Sequence, residues 1–129
     1  MKALHIDPTE DTPRVALNPD KGDCLLEGNS YPENSAQFYQ QIIEWMETFI
    51  QEHPHKDLHL TFNFDYFNTS SAKYILELLR QVQRHKQNGN NCVVDWFYFE
   101  EDTDMQEAGE DYQQTLDLDF RLNLREDTL

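Results

Sequence analysis

Three consecutive hydroxyls, Thr69-Ser70-Ser71, follow Asn68 at a point where the hydrophobic period of the chain changes. Upstream, Leu58-His59-Leu60-Thr61-Phe62-Asn63-Phe64 alternates apolar and polar side chains, the period of a half-buried strand. Downstream, Ala72, Ile75, Leu76, Leu79 and Val82 recur at helical spacing. The hydroxyls therefore fall where a strand ends and a helix begins. The first N–H groups of a helix lack intrahelical partners, and the helix dipole concentrates partial positive charge there. Two kinds of chemistry suit such a junction. One is an N-cap, for which Asn, Ser and Thr oxygens are favoured. The other is a phosphoryl group on a hydroxyl, which the free N–H groups would stabilise. The residue types leave both open. Lys73, one turn on, is either a surface lysine or a cation placed to pair with such a phosphate.

Other chemistry is sparse. Four glycines leave no material for a Gly-rich phosphate loop, and no Gly-x-Ser-x-Gly elbow occurs. His53 and His55 flank Pro54 and could share a metal with an acid, yet no second ligand pair stands at useful spacing. The run Glu100-Glu101-Asp102, Asp104, Glu107, Glu110-Asp111 lacks the ligand order of a calcium loop and reads as a solvated face. We therefore read the protein as non-enzymatic and without a cofactor or metal. A small metal-dependent enzyme using His53, His55 and the acidic segment is the alternative from a different class.

The elements that would position the hydroxyls are legible in outline. Lys2 to Ile6, Arg14 to Leu17 and Cys24 to Glu27 read as short strands, the last two joined by the turn residues Asn18-Pro19-Asp20-Lys21-Gly22. Gly28-Asn29-Ser30-Tyr31-Pro32 then breaks the strand pattern. A helix starts at the cap Asn34, carries Phe38, Ile42, Trp45, Met46 and Phe49 on one face, and stops at His53-Pro54. After the strand at 58–64, a second helix runs from about Ser70 to Gln87, ending at Asn88-Gly89. Asn91 to Phe99 is a strand rich in Val, Trp, Phe and Tyr; the acidic segment 100–111 is a short exposed helix. Leu116, Leu118, Phe120, Leu122 and Leu124 alternate as a final one-faced strand. The order β-β-β-α-β-α-β-α-β implies an α/β domain, a mixed sheet with helices packed on it. The link from strand 58–64 to strand 91–99 is a candidate right-handed parallel crossover.

Length and charge bound the rest. A chain of 129 residues with eight Phe, six Tyr and two Trp can build one domain around a real core. Twenty-five acids against ten bases give a formal charge of −15, which repels phosphate backbones and anionic lipid. Nucleic acid and membrane insertion are therefore not expected. The start of the chain does not resemble a secretory signal, no apolar run approaches the roughly 20 residues that cross a bilayer, and Cys24 and Cys92 read as buried reduced thiols. A cytoplasmic location follows as the expectation.

Two motifs about thirty residues apart, Ser30-Tyr31-Pro32-Glu33-Asn34-Ser35 and Phe67-Asn68-Thr69-Ser70-Ser71, resemble those of the SiaC-type regulatory phosphoproteins, and the similarity spans nearly the whole chain. The resemblance implies a single STAS-like α/β domain over residues 1–129 and a role in bacterial partner switching. It further implies reversible phosphorylation of Thr69 by a cognate kinase related to anti-sigma factors and reversal by a PP2C-like phosphatase. The unphosphorylated form would bind and activate a diguanylate cyclase, raising cyclic-di-GMP and favouring biofilm or aggregation. Tyr31, Pro32, Glu33, Asn34, Asn68, Ser70, Ser71 and Lys73 are then the expected partner-facing residues. An anti-sigma-factor antagonist controlling transcription is the mechanistically closest alternative.

Overall fold

Alternation along the longest strand decides the two faces of the sheet. In the computed structural model, which describes residues 1–126, Leu58, Leu60, Phe62 and Phe64 of β4 (Leu58–Phe67) are buried, while the intervening His59, Thr61, Asn63 and Asp65 are exposed or half-buried. Six strands form one sheet in chain order, with β1 (Leu4–Ile6), β2 (Arg14–Asn18) and β3 (Asp23–Ser30) paired antiparallel. From β3 onward every pairing is parallel, through β4, β5 (Cys92–Tyr98) and β6 (Asp119–Leu124). Parallel neighbours need crossovers, and α1 (Ser35–Glu52), α2 (Thr69–Gln87) and α3 (Thr103–Thr115) supply one each. The mixed α/β sheet expected from the sequence is thus observed.

The helices seal the apolar face. Tyr39, Ile42, Met46 and Phe49 of α1 and Ile75, Leu78, Leu79 and Val82 of α2 are fully buried over the β2–β5 strands. Each such side chain contributes on the order of 1.5–3 kcal/mol. Trp96 of β5 is the hub, with Phe62, Phe64, Phe67, Tyr112 and Phe120 around it and its Nε1–H donating to the Met105 carbonyl (3.0 Å). The opposite face carries no helix. Its polar groups pair with one another, His59 with Asp95, Asn123 with Asp95 and Arg14 with Glu27.

Several boundaries differ from the sequence expectation: the first strand begins at Leu4, and the strand read at 58–64 runs on to Phe67. The strand ending near Glu27 continues to Ser30, because Gly28, at φ +112°, absorbs a register shift before Asn29 that would otherwise end the pairing. The acidic segment forms a helix that starts later, runs on to Thr115 and is not wholly exposed: α3 is capped by Asp102, whose side chain accepts from Met105 N–H (3.1 Å), and it lays Met105, Gly109 and Tyr112 on Trp96 and its neighbours. Leu116 consequently caps α3 instead of opening the last strand, which begins at Asp119. Cys24 and Cys92 are free and buried; burial pushes their thiols up to about 12 and about 11. No helix among the described residues is long and apolar enough to cross a membrane.

Candidate functional site at the meeting helix starts

Asn68 leaves β4 in an extended conformation (φ −94°, ψ 174°), and its Oδ1 accepts from the Ser71 N–H (2.9 Å) and the Ser70 hydroxyl (3.0 Å). The expected cap is therefore present, and it fixes the phase of the three hydroxyls. Successive helical residues turn by about 100°, so neighbours in sequence face different surroundings. Thr69 and Ser70 are exposed, whereas Ser71 is fully buried. Among the described residues the Thr69 hydroxyl has no hydrogen-bond partner, and no acid or histidine side chain is bonded to it.

Ser71 belongs to a buried chain of hydroxyls. Tyr39 OH meets Ser30 Oγ (2.5 Å), Ser30 Oγ donates to Ser71 Oγ (2.9 Å), and Ser71 Oγ donates to the Ser30 carbonyl (3.0 Å). Burial raises the Tyr39 phenol to about 12, against the lowering effect of the Ser30 and Ser71 hydroxyls, so Tyr39 stays neutral and able to donate. The Asn68 N–H also donates to the Ser30 carbonyl (3.0 Å), which ties the start of α2 to the end of β3.

At the surface the starts of two helices meet. Asn34 caps α1 by accepting from Gln37 N–H (3.0 Å), and Ser35 Oγ lies 2.7 Å from Ser70 Oγ. Neither helix has an acid in its first turn. Two partial positive poles therefore share one corner without a carboxylate of the first turns to neutralise them. Beside it, Tyr31 and Tyr66, 37% and 53% exposed, pack edge to face with centroids 5.9 Å apart. Exposed aromatic pairs of this kind are common anchors for a protein partner.

The sheet thus brings the two sequence motifs together. Tyr31, Glu33, Asn34, Thr69, Ser70 and Lys73 are exposed at this corner, and Asn68 is half-buried as the cap. Lys73 lies one turn along α2, with Nζ 5.5 Å from the Tyr74 ring. Two residues expected to face a partner do not: Pro32 and Ser71 are buried, because the β3 extension packs the first inward and the helical phase turns the second into the core. Tyr66 was missed, although Tyr66-Phe67 interrupts the alternation of β4 and two adjacent aromatics on a strand cannot both face one core. His53 and His55 lie at the far end of α1, and no group of three or more His, Cys, Asp or Glu among the described residues is placed to hold a metal ion.

Residues 6–124 match the sequence profile of the SiaC family regulatory phosphoproteins. The chain belongs to this family. A curated relative, an uncharacterised protein of Pseudomonas aeruginosa strain UCBPP-PA14, is 28% identical over 127 residues, covering 98% of this chain and 100% of its own. The crystal structure of apo-SiaC from Pseudomonas aeruginosa superposes with a TM-score of 0.84 at 29% identity, covering 98% of this chain and 100% of that one. The crystal structure of the diguanylate cyclase SiaD in complex with its activator SiaC, from the same organism, is similar at a TM-score of 0.89 and 29% identity over 95% of this chain and 99% of that one. Family membership makes this a regulatory phosphoprotein.

Proposed function

We propose that this SiaC-family protein is a non-catalytic cytoplasmic switch whose phosphoacceptor is Thr69 and whose unmodified form binds and activates a diguanylate cyclase. A kinase of the anti-sigma-factor type transfers the γ-phosphoryl group of ATP to Thr69 Oγ1, the hydroxyl proton passes to the kinase's base, and ADP leaves. A PP2C-like phosphatase hydrolyses the ester and resets the switch.

The observation that carries this reading is an exposed, unengaged hydroxyl at the corner shared by two helix starts. An added phosphate brings nearly two negative charges and strong acceptor oxygens. It falls where α2 offers free N–H groups and where Lys73 stands one turn away. The same charge lands beside Tyr31 and Tyr66, so a partner anchored on those rings would be displaced by repulsion and by the cost of burying the phosphate. The complex of the related SiaC with a cyclase favours a cyclase over an anti-sigma factor as the effector.

Incubation with the cognate kinase and ATP should add one phosphate, mapped by mass spectrometry to Thr69, and Thr69→Ala should remove the label while leaving the circular dichroism unchanged. Full labelling of the Thr69→Ala protein would show that the acceptor lies elsewhere. Unmodified protein should raise the output of the organism's own cyclase, and phosphorylated protein should not.

A further inference from the structure

We propose that the outer ridge of α2, formed by Lys73, Arg80 and Arg84, is a docking strip for a carboxylate-rich helix or segment of the effector, and that Thr69 controls it as the end residue of the same strip. This inference rests on the reading above that the unmodified form holds an effector.

The distribution of positive charge supports it. The chain has ten basic residues against twenty-five acids. Arg14, Lys86, Arg121 and Arg125 are held in ion pairs, and Lys56 is bonded to the carbonyls of Pro19 and Asp20. Lys73, Arg80 and Arg84 are exposed, and among the described residues none has an acid within ion-pair distance, Glu77 on the same helix included. At about 100° per residue, Thr69, Arg80, Lys73 and Arg84 fall within an arc of roughly 60°, with the exposed Glu77 at its edge, and they span about 22 Å along the axis. Arg84 is explained in part by the helix dipole, which favours cations near a C-terminus. Lys73 is not, because it lies near the N-terminus, where that dipole opposes it.

The flanks sharpen the fit. On one side α1 exposes Glu47, and on the other α3 exposes Asp104, Glu107 and Asp111. An acidic segment is attracted to the ridge and repelled on either side, so the charges set its line of approach as well as its affinity. A second copy of this chain, itself at −15, is disfavoured as the occupant. Phosphorylation of Thr69 puts its charge on the same line, pairing with Lys73 and meeting the carboxylates of the partner head-on.

The test compares binding of the organism's cyclase to the full-length unphosphorylated protein, to Arg80→Glu/Arg84→Glu, to the milder Arg80→Gln/Arg84→Gln, and to Lys21→Glu, which removes an unpaired cation at the β2–β3 turn. Melting curves check that each variant is folded. The double Glu variant should bind on the order of tenfold or more weakly at about 0.15 M salt, the Gln variant less so, and the gap should narrow at high salt. Lys21→Glu should bind like wild type. If the ridge variants match Lys21→Glu, or if their loss is unchanged by salt, the strip is wrong while the switch reading stands. If wild-type protein binds no cyclase, the effector reading falls and the strip with it.

Discussion

Removing the Ser71 hydroxyl should destabilise the protein more than removing the larger system's other end, the hydroxyl of Tyr39. The reason lies in how three hydrogens are placed. Tyr39 donates to Ser30, Ser30 to Ser71, and Ser71 to the Ser30 carbonyl, so each hydroxyl hydrogen has one acceptor. Ser71→Ala leaves two hydroxyls, Tyr39 and Ser30, facing only each other, and one hydrogen is orphaned whichever way they turn. The space freed is smaller than a water molecule, and Ser30, Tyr39 and Ser71 are all 0% exposed, so solvent cannot repair it. An orphaned buried donor costs about 1–3 kcal/mol. The better helix propensity of Ala returns up to about 0.5 kcal/mol, leaving a net loss of about 0.5–2.5 kcal/mol. Tyr39→Phe removes the head of the chain instead. Both remaining hydrogens keep their acceptors, only acceptor capacity goes unused, and the ring still stacks on Tyr74 (5.8 Å); we expect about 1 kcal/mol or less. Urea unfolding of the two variants, with unchanged m-values, measures the difference. A Tyr39→Phe loss equal to or larger than that of Ser71→Ala would refute this donor order.

Gly109→Ala should lower the urea midpoint, by about 1–3 kcal/mol of stability, although Gly→Ala in an open helix normally gains about 1 kcal/mol. A Cβ there would sit 2.6 Å from Trp96 Cδ1 and 2.7 Å from Leu122 Cδ2, and Trp96 is fully buried; a raised midpoint would contradict that packing. Cys24 and Cys92, with thiols pushed up to about 12 and about 11 chiefly by burial, should resist Ellman's reagent at pH 8 in the folded protein and react once urea unfolds it. Native-state labelling at the rate of a free thiol would argue against their burial.

Most of the local structure was legible because it depends on short-range periodicity and on side chains that satisfy nearby backbone groups. Asn34 and Asn68 cap the helices that follow them, Gly89 ends α2 at φ +99°, and β4 buries its alternate residues. The inward phase of Ser71 was missed: it was expected to face a partner with the rest of its motif, yet Ser71, Ile75, Leu78 and Val82 share one helical face and all are buried. What no local pattern could supply was which distant groups meet. The Ser35–Ser70 contact, the Tyr31–Tyr66 pair and the Ser30–Ser71 bond all follow from β3 pairing with β4 as far as Ser30 and Phe67, past the shift at Gly28. Strand register is settled by burying one whole sheet face at once, a free energy summed over the chain. Residues 68–71 by themselves therefore set a capped helix start bearing hydroxyls, and only the assembled sheet set a second helix start and two exposed rings beside it.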